Sequence, residues 1–166
     1  MLRPATALDF AFIRSLASQA DNAPFITDEE EEALGVYLAE PSARLLIWEV
    51  AGAPAGFALF CQIGEPSGAL ELRRLALAAT GGGQGQAFLR ALADYGFATL
   101  AAARVWLDAS GENPRAMKTY ERAGFALEGR LRQHWYRPAL GRVVDLILYG
   151  MLRAEWEALE PLAVRA

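Results

Sequence analysis

The sequence predicts a mixed α/β fold in one domain over residues 1–166, with a central sheet of about seven strands and helices on both faces. Three observations predict it. Two strand-like runs, ARLLIWEV and AGFALFCQI, come early and close together. A strand–helix–strand–helix alternation follows from Leu70 to Gly124. Two long strand-like runs, FALEGRLRQHWYRP and RVVDLILYGML, come near the end. Such an order needs a sheet with parallel and antiparallel neighbours and helices to cover it. Hydrophobic residues make up 54 % of the 166-residue chain and charged residues 22 %, which suits one folded core rather than disorder.

The elements follow in order. LRPAT reads as a short first strand. Residues 7–20 carry Phe10, Ile13, Leu16 and Ala17 on one side of a helix. TDEEEEALGVYLAE opens a second helix, with Thr27 and Glu30 in capping-box positions and acids in the favoured first turn. Residues 44–50 and 55–63, separated by AGAP, read as a hairpin. Residues 70–77 are the next strand. Residues 81–97 form a helix opened by glycines, with Phe88, Leu89, Leu92 and Tyr95 as its inward stripe. RVWLDA is a short strand. ENPRAMKTYERAG is a helix with Pro114 in its first turn and Gly124 just past its end. The last two strands and a short amphipathic tail complete the chain.

Composition excludes several classes. A net charge of −4 argues against a nucleic-acid binder, which needs a basic face. One cysteine, Cys61, permits no internal disulfide and points to a reducing compartment; it lies in an apolar run and reads as a buried, inert thiol. No His-rich or Cys-rich cluster suggests a metal. No signal-like or membrane-length apolar run is present, so the expectation is a cytoplasmic protein with no membrane partner.

Gly81, Gly82, Gly83 and Gly85 crowd one strand-to-helix corner. Glycine weakens both elements by about 1 kcal/mol per residue in a helix. A ligand phosphate at the helix N-terminus explains the cost, because unpaired N–H groups and about half a positive charge await it there. A loose loop without a ligand is the competing reading. A P-loop would need a lysine that is missing, and the dinucleotide fingerprint would need glycine where Gln86 stands.

The segment from Thr80 to Gly85, TGGGQG, followed by NPRAMKTYERAGF, resembles the GNAT superfamily of acetyl-CoA-dependent N-acetyltransferases. Gly83 and Gly85 match the glycines of that family's Arg/Gln-x-x-Gly-x-Gly/Ala motif, and Thr80 departs from its first position. Asn113, Ala116, Tyr120, Gly124 and Phe125 match a second motif on the next helix. The end of the chain resembles the branch holding ribosomal-protein and polyamine acetyltransferases.

The resemblance implies a GNAT-like fold and transfer of an acetyl group from acetyl-CoA to a primary amine by direct attack in a ternary complex. The amine is a small molecule or a protein amine. An exposed late strand that can pair across a two-fold leaves a monomer or a homodimer. Acetyl-CoA would lie against Leu75, Ala76 and Leu77, with the Leu75 N–H on the thioester carbonyl. Its pyrophosphate would meet Thr80, Gly81, Gly82, Gly83, Gln84, Gly85 and Gln86, and Asn113 would bond its arm, with an ordinary helix-start residue as the alternative for Asn113. One of Arg115, Lys118 and Arg122 would reach the 3′-phosphate; exposed cations without a ligand are the alternative.

Tyr120 would protonate the departing sulfur; a core aromatic is the alternative. Glu71 would be the general base, since a lysine-like amine with a pKa of about 10.4 must lose a proton before it attacks. Pairing with Arg73, orienting substrate, or a water chain in its place are the alternatives for Glu71. Strand periodicity puts Glu71, Arg73 and Leu75 on one face. His134, the single histidine, reads as structural before catalytic, and Trp135 and Tyr136 as pocket walls or packing. A non-catalytic acyl-CoA-binding module on the same fold is the alternative function; it needs neither Tyr120 nor Glu71.

Overall fold

The computed structural model describes residues 1–79 and 81–159. One seven-stranded sheet carries the expected mixed topology. Its strands are β1 (Leu2–Pro4), β2 (Arg44–Val50), β3 (Ala53–Cys61), β4 (Ala69–Leu77), β5 (Arg104–Ser110), β6 (Ala126–Arg137) and β7 (Arg142–Leu152), in the spatial order β1-β2-β3-β4-β5-β7-β6. Only β4 and β5 run parallel; every other pair is antiparallel. The helices are α1 (Phe10–Ala17), α2 (Glu31–Ala39), α3 (Gln84–Asp94), α4 (Pro114–Ala123) and α5 (Arg153–Leu159). Among the described residues no helix is long and apolar enough to cross a membrane.

Strand alternation builds two cores. Leu46 and Phe60 turn to one face, under Phe88, Leu89 and Leu92 of α3 and Tyr120 of α4. Leu45, Ile47, Phe57 and Leu59 turn to the other, under Phe10, Ile13 and Leu16 of α1. Because β2 and β3 are buried on both sides, they read as continuous apolar runs. The β2–β3 hairpin turns at Ala51 and Gly52, both with positive φ, which matches the twist of the strands it joins.

Three local expectations change. The first helix is shorter, a 3-10 turn over Ala7–Asp9 and then α1. The capping box predicted at Thr27 and Glu30 does not form; α2 starts at Glu31 with no side-chain cap. Tertiary partners claim the segment instead. Arg137 donates to the Thr27 hydroxyl, Arg74 donates to its carbonyl, and Asp28 and Glu30 pair with Arg14. A capping box forms at Thr6 and Asp9. The glycine-opened helix begins at Gln84 rather than 81 and changes at Asp94 to a π turn over Tyr95–Thr99.

The consequential departure lies in β4. Leu72 pairs with Phe60 and Arg74 with Leu59, so Arg73 is an extra residue without a partner on β3. Such a bulge reverses the strand's alternation. Leu70 and Leu72 face the α3 side before it, and Leu75 and Leu77 pack on that side after it. Glu71 pairs in register with Cys61, whose side chain lies in the opposite core. Glu71 and Leu75 therefore point to opposite faces, and the single face inferred from period two is corrected by one inserted residue.

Candidate active site

The bulge shapes the site. β4 and β5 pair only from Ala69↔Arg104 to Glu71↔Trp106, although both strands continue. Beyond that point they diverge, and a cavity of about 820 Å³ opens between them. The side of β4 turned toward β5 is left with main-chain groups that no strand satisfies, the edge an extended ligand can join. Leu75, Ala76 and Leu77 line this opening.

One end of the cavity is the glycine corner. Gly81, Gly82 and Gly83 all have positive φ, and a Cβ on any of them would meet nothing within 4 Å. Their role is conformational freedom beside open space, which fits a ligand's approach. Gly85 differs: its Cβ would stand 3.0 Å from Thr119 Cγ2, so this glycine lets α3 close on α4. Gly81, Gly83, Gly85 and Gln86 line the cavity, whereas Gly82 and Gln84 do not. The Gln86 side chain donates to the Arg122 carbonyl at 2.9 Å and fastens α3 to the end of α4. Thr80 lies outside the described residues. Arg115 and Arg122 border the cavity and Lys118 does not.

The N-terminus of α4 forms as its sequence demands. Pro114 sits at N1, and Asn113 Oδ1 accepts from the Ala116 N–H at 3.1 Å. Asn113 is thus the helix cap and a cavity residue at once. Tyr120, two turns along, is 6 % exposed and stands edge-on to Tyr149 with ring centres 5.5 Å apart. Its hydroxyl donates to the Asp108 carbonyl at 3.4 Å. Burial first, and the Asp108 and Tyr149 charges after it, hold its phenol above the ordinary value, so the hydroxyl stays protonated. Tyr120 is a packed core residue that also borders the cavity.

The opposite rim is polar. Glu71 accepts two hydrogen bonds from Arg73, from Nε at 3.0 Å and from Nη2 at 2.6 Å. That is the pairing sequence reasoning offered as one alternative. A second carboxyl, Asp108, belongs to a run that the sequence marks only as a strand. It lies on β5 two residues past Trp106, the register partner of Glu71, and so on the same face of the opening. Burial pushes its carboxyl up to about 6, the Glu71 charge adds to the shift, and His134 opposes it. An acid in RVWLDAS looks like an ordinary outward residue; the signal available was its place opposite Glu71 once the two strands are aligned.

His134 enters the cavity through a bulge. Leu131 pairs with Leu146 and Trp135 with Val144, so three residues of β6 stand opposite Asp145 alone. Gln133 takes φ 49, and Asp145 Oδ1 accepts from its N–H at 2.7 Å. Trp135 lines the cavity and Tyr136 does not. The Arg137 guanidinium stacks on the Trp135 ring at 4.1 Å. Arg137 is 1 % exposed and donates to the Pro24 and Ala23 carbonyls and to Thr27 Oγ1. It fixes the loop between α1 and α2 as a wall of the cavity. Cys61 is buried, its thiol pushed up by burial first, as expected of an inert packing residue.

Comparison with known proteins fits this geometry. A family model described as Acetyltransferase (GNAT) family matches residues 10–125. Among solved structures, the spermidine N-acetyltransferase from Vibrio cholerae in complex with CoA and spermine superposes with TM-score 0.84 at 22 % identity, over 95 % of this chain and 97 % of that one. A chimera based on the same enzyme gives TM-score 0.83 at 23 % identity, over 95 % and 97 % of the two chains. A dodecameric form of the Vibrio cholerae enzyme gives TM-score 0.80 at 22 % identity, over 96 % and 97 %. No curated protein matches the chain.

Proposed function

Because the chain belongs to the acetyltransferase (GNAT) family and is an acetyl-CoA-dependent N-acetyltransferase, we propose that it joins acetyl-CoA and a primary amine in a ternary complex, with direct attack of the amine on the thioester. The observation that carries this reading is the divergence of β4 and β5 after Glu71↔Trp106, with the glycine corner at one end of the opening and carboxyls at the other.

The open edge of β4 at Leu75, Ala76 and Leu77 supports an amide-rich arm running along it as an added strand. The Leu75 N–H is the donor proposed for the thioester carbonyl, where negative charge develops. The pyrophosphate takes the first turn of α3, which has unpaired N–H groups and open space beside Gly81 and Gly83. Thr80, Gly82, Gln84 and Gln86 complete that corner. Arg115 or Arg122 is the partner proposed for the 3′-phosphate, and the Asn113 amide for the arm. Tyr120 is the proton donor to the leaving sulfur. Its aromatic body packs like any core residue, while its hydroxyl reaches the cavity edge.

The amine enters on the side walled by the α1–α2 loop and the β6 bulge, where Glu71 attracts an ammonium while Arg73 holds its carboxylate in place. An acceptor of the polyamine kind fits an acid-lined rim and the fold likeness to enzymes of that substrate. For assembly, the largely exposed edge strand β6, with Leu127 and Tyr136 outward, supports a homodimer through that edge over a monomer. The lone buried thiol of Cys61 fits a reducing cytoplasm.

The test is thiol release from acetyl-CoA across a panel of spermidine, spermine, free lysine, an N-terminal peptide and an aminoglycoside. At least one amine is expected to release thiol in step with its own acetylation. Tight acetyl-CoA binding with no release for any amine would favour a binding module.

A further inference from the structure

We propose that Asp108, on β5, is the group that takes the proton from the attacking ammonium, while Glu71 holds and orients that cation. This rests on the acetyl-transfer reading above and assigns one of its steps.

Glu71 and Asp108 share the rim but not the same circumstances. Arg73 engages Glu71 through two donors. Both donors meet Glu71 Oε2 in a charge-assisted pair that fixes the orientation of the carboxylate and leaves Oε1 to hold a cation. Among the described residues, no donor or cation bonds the Asp108 carboxyl; what acts on it is burial, the Glu71 charge and, at longer range, His134. The charged and titratable groups facing it are therefore Glu71 on β4 with Arg73 behind it, His134 on the β6 bulge and Tyr120 on α4.

Asp108 lines the cavity together with Glu71, on the side proposed above for entry of the amine. Its affinity for a proton, near 6, suits a base that must be ionised at neutral pH and still compete for an ammonium proton. The same residue's carbonyl accepts the Tyr120 hydroxyl, so the proposed acid and base are fixed to one point of β5.

The ammonium gives one proton to the Asp108 carboxylate, which passes it to solvent through the cavity mouth. The neutral nitrogen bonds to the acetyl carbon while the carbon–sulfur bond breaks. Nitrogen loses a second proton on becoming the amide, and the leaving thiolate gains one from the Tyr120 hydroxyl, which the released proton restores. Amide, free thiol and one solvent proton result.

The experiment measures kcat and kcat/KM against pH for the wild type, Asp108→Asn and Glu71→Gln, using the best amine of the panel and an alkoxyamine, whose nitrogen is already neutral at working pH. Asp108→Asn should lower kcat for the ordinary amine by about 10²–10³-fold at neutral pH and abolish the acid limb near pH 6. It should leave the alkoxyamine rate within a few fold of wild type and the acetyl-CoA dissociation constant unchanged. Glu71→Gln should raise KM for the ordinary amine and keep the acid limb.

The alkoxyamine rate also reports folding, since a misfolded variant loses both substrates. Equal losses on both acceptors, or an intact acid limb in Asp108→Asn, would overturn the assignment and leave acetyl transfer standing. Thiol release from no amine by the wild type would overturn both.

Discussion

The Tyr120 hydroxyl donates to the main-chain carbonyl of Asp108 at 3.4 Å, so a side chain of α4 is tied to the strand that carries the Asp108 carboxyl. A long neutral bond of this kind contributes about 1 kcal/mol or less. Tyr120→Phe should therefore fold with nearly wild-type stability and bind acetyl-CoA unchanged, while kcat falls by about 10²–10⁴-fold. Steady-state kinetics beside calorimetry check this. Wild-type turnover would return Tyr120 to a purely packing role.

The glycines of the corner should separate into two kinds. Gly83→Glu adds charge and bulk where the pyrophosphate is proposed, and acetyl-CoA should no longer raise the melting temperature. Gly83→Ala, in the left-handed region with no clash, should cost about 1–2 kcal/mol and weaken binding less. Gly85→Ala presses on Thr119 Cγ2 and should be partly rescued by Thr119→Ser, which removes that methyl and keeps the hydroxyl bond to the Arg115 carbonyl. A double-mutant cycle on melting temperature reads the rescue; strictly additive effects would place the strain elsewhere.

Two aspartates should affect stability with opposite signs. Hydrogen bonds from Arg3 hold the Asp9 carboxyl down at about 2, helped by the Thr6 N–H. Its stabilisation is complete above the unfolded value near 3.8 and is lost as pH falls from there toward 2. Asp9→Asn should cost about 2 kcal/mol at pH 7 and little near pH 2. Asp108 is raised to about 6, so its folded form prefers the proton, and stability falls as pH rises from about 4 to 6. Asp108→Asn should therefore stabilise at pH 8, by about 1–3 kcal/mol, and not at pH 4. Denaturant unfolding at the two pH values checks both signs.

Much of this was legible in the sequence where local rules act alone. The helix from Pro114 to Gly124 carries its cap, its first-turn proline and its terminal glycine within one stretch, and each sits as expected. The glycine corner was equally readable, because positive φ favours glycine and Gly81, Gly82 and Gly83 all adopt it. What escaped depends on a neighbour distant in sequence. The extra residue at Arg73 is defined only against β3, and nothing in LELRRLAL marks it. Asp108 became part of the site only because β4 and β5 part company beside it. Thr27 and Glu30 fit a capping pattern that Arg137, over a hundred residues away, outcompeted.

The buried Arg137 yields a further expectation. Its guanidinium has backbone carbonyls and one hydroxyl as partners among the described residues, and burial, with Arg74 nearby, lowers its proton affinity. Arg137→Met should free the α1–α2 loop, raise KM for the amine several-fold and leave acetyl-CoA affinity unchanged. Arg137→Lys should not restore it, because an ammonium cannot span three acceptors and stack on Trp135. Hydrogen exchange over residues 18–30 should quicken in both variants; unchanged exchange would contradict the tether.

The central claim is direct transfer from acetyl-CoA to an amine in the opening between β4 and β5. It is tested most directly by mass spectrometry of protein and amine together, in a single turnover with acetyl-CoA, for the wild type and Gly83→Glu. Acetylated amine should form with free CoA in equal amount, no acetyl group should reside on the protein at any time, and Gly83→Glu should form neither product. An acetylated protein whose label then passes to the amine, or product formation undiminished in Gly83→Glu, would contradict it.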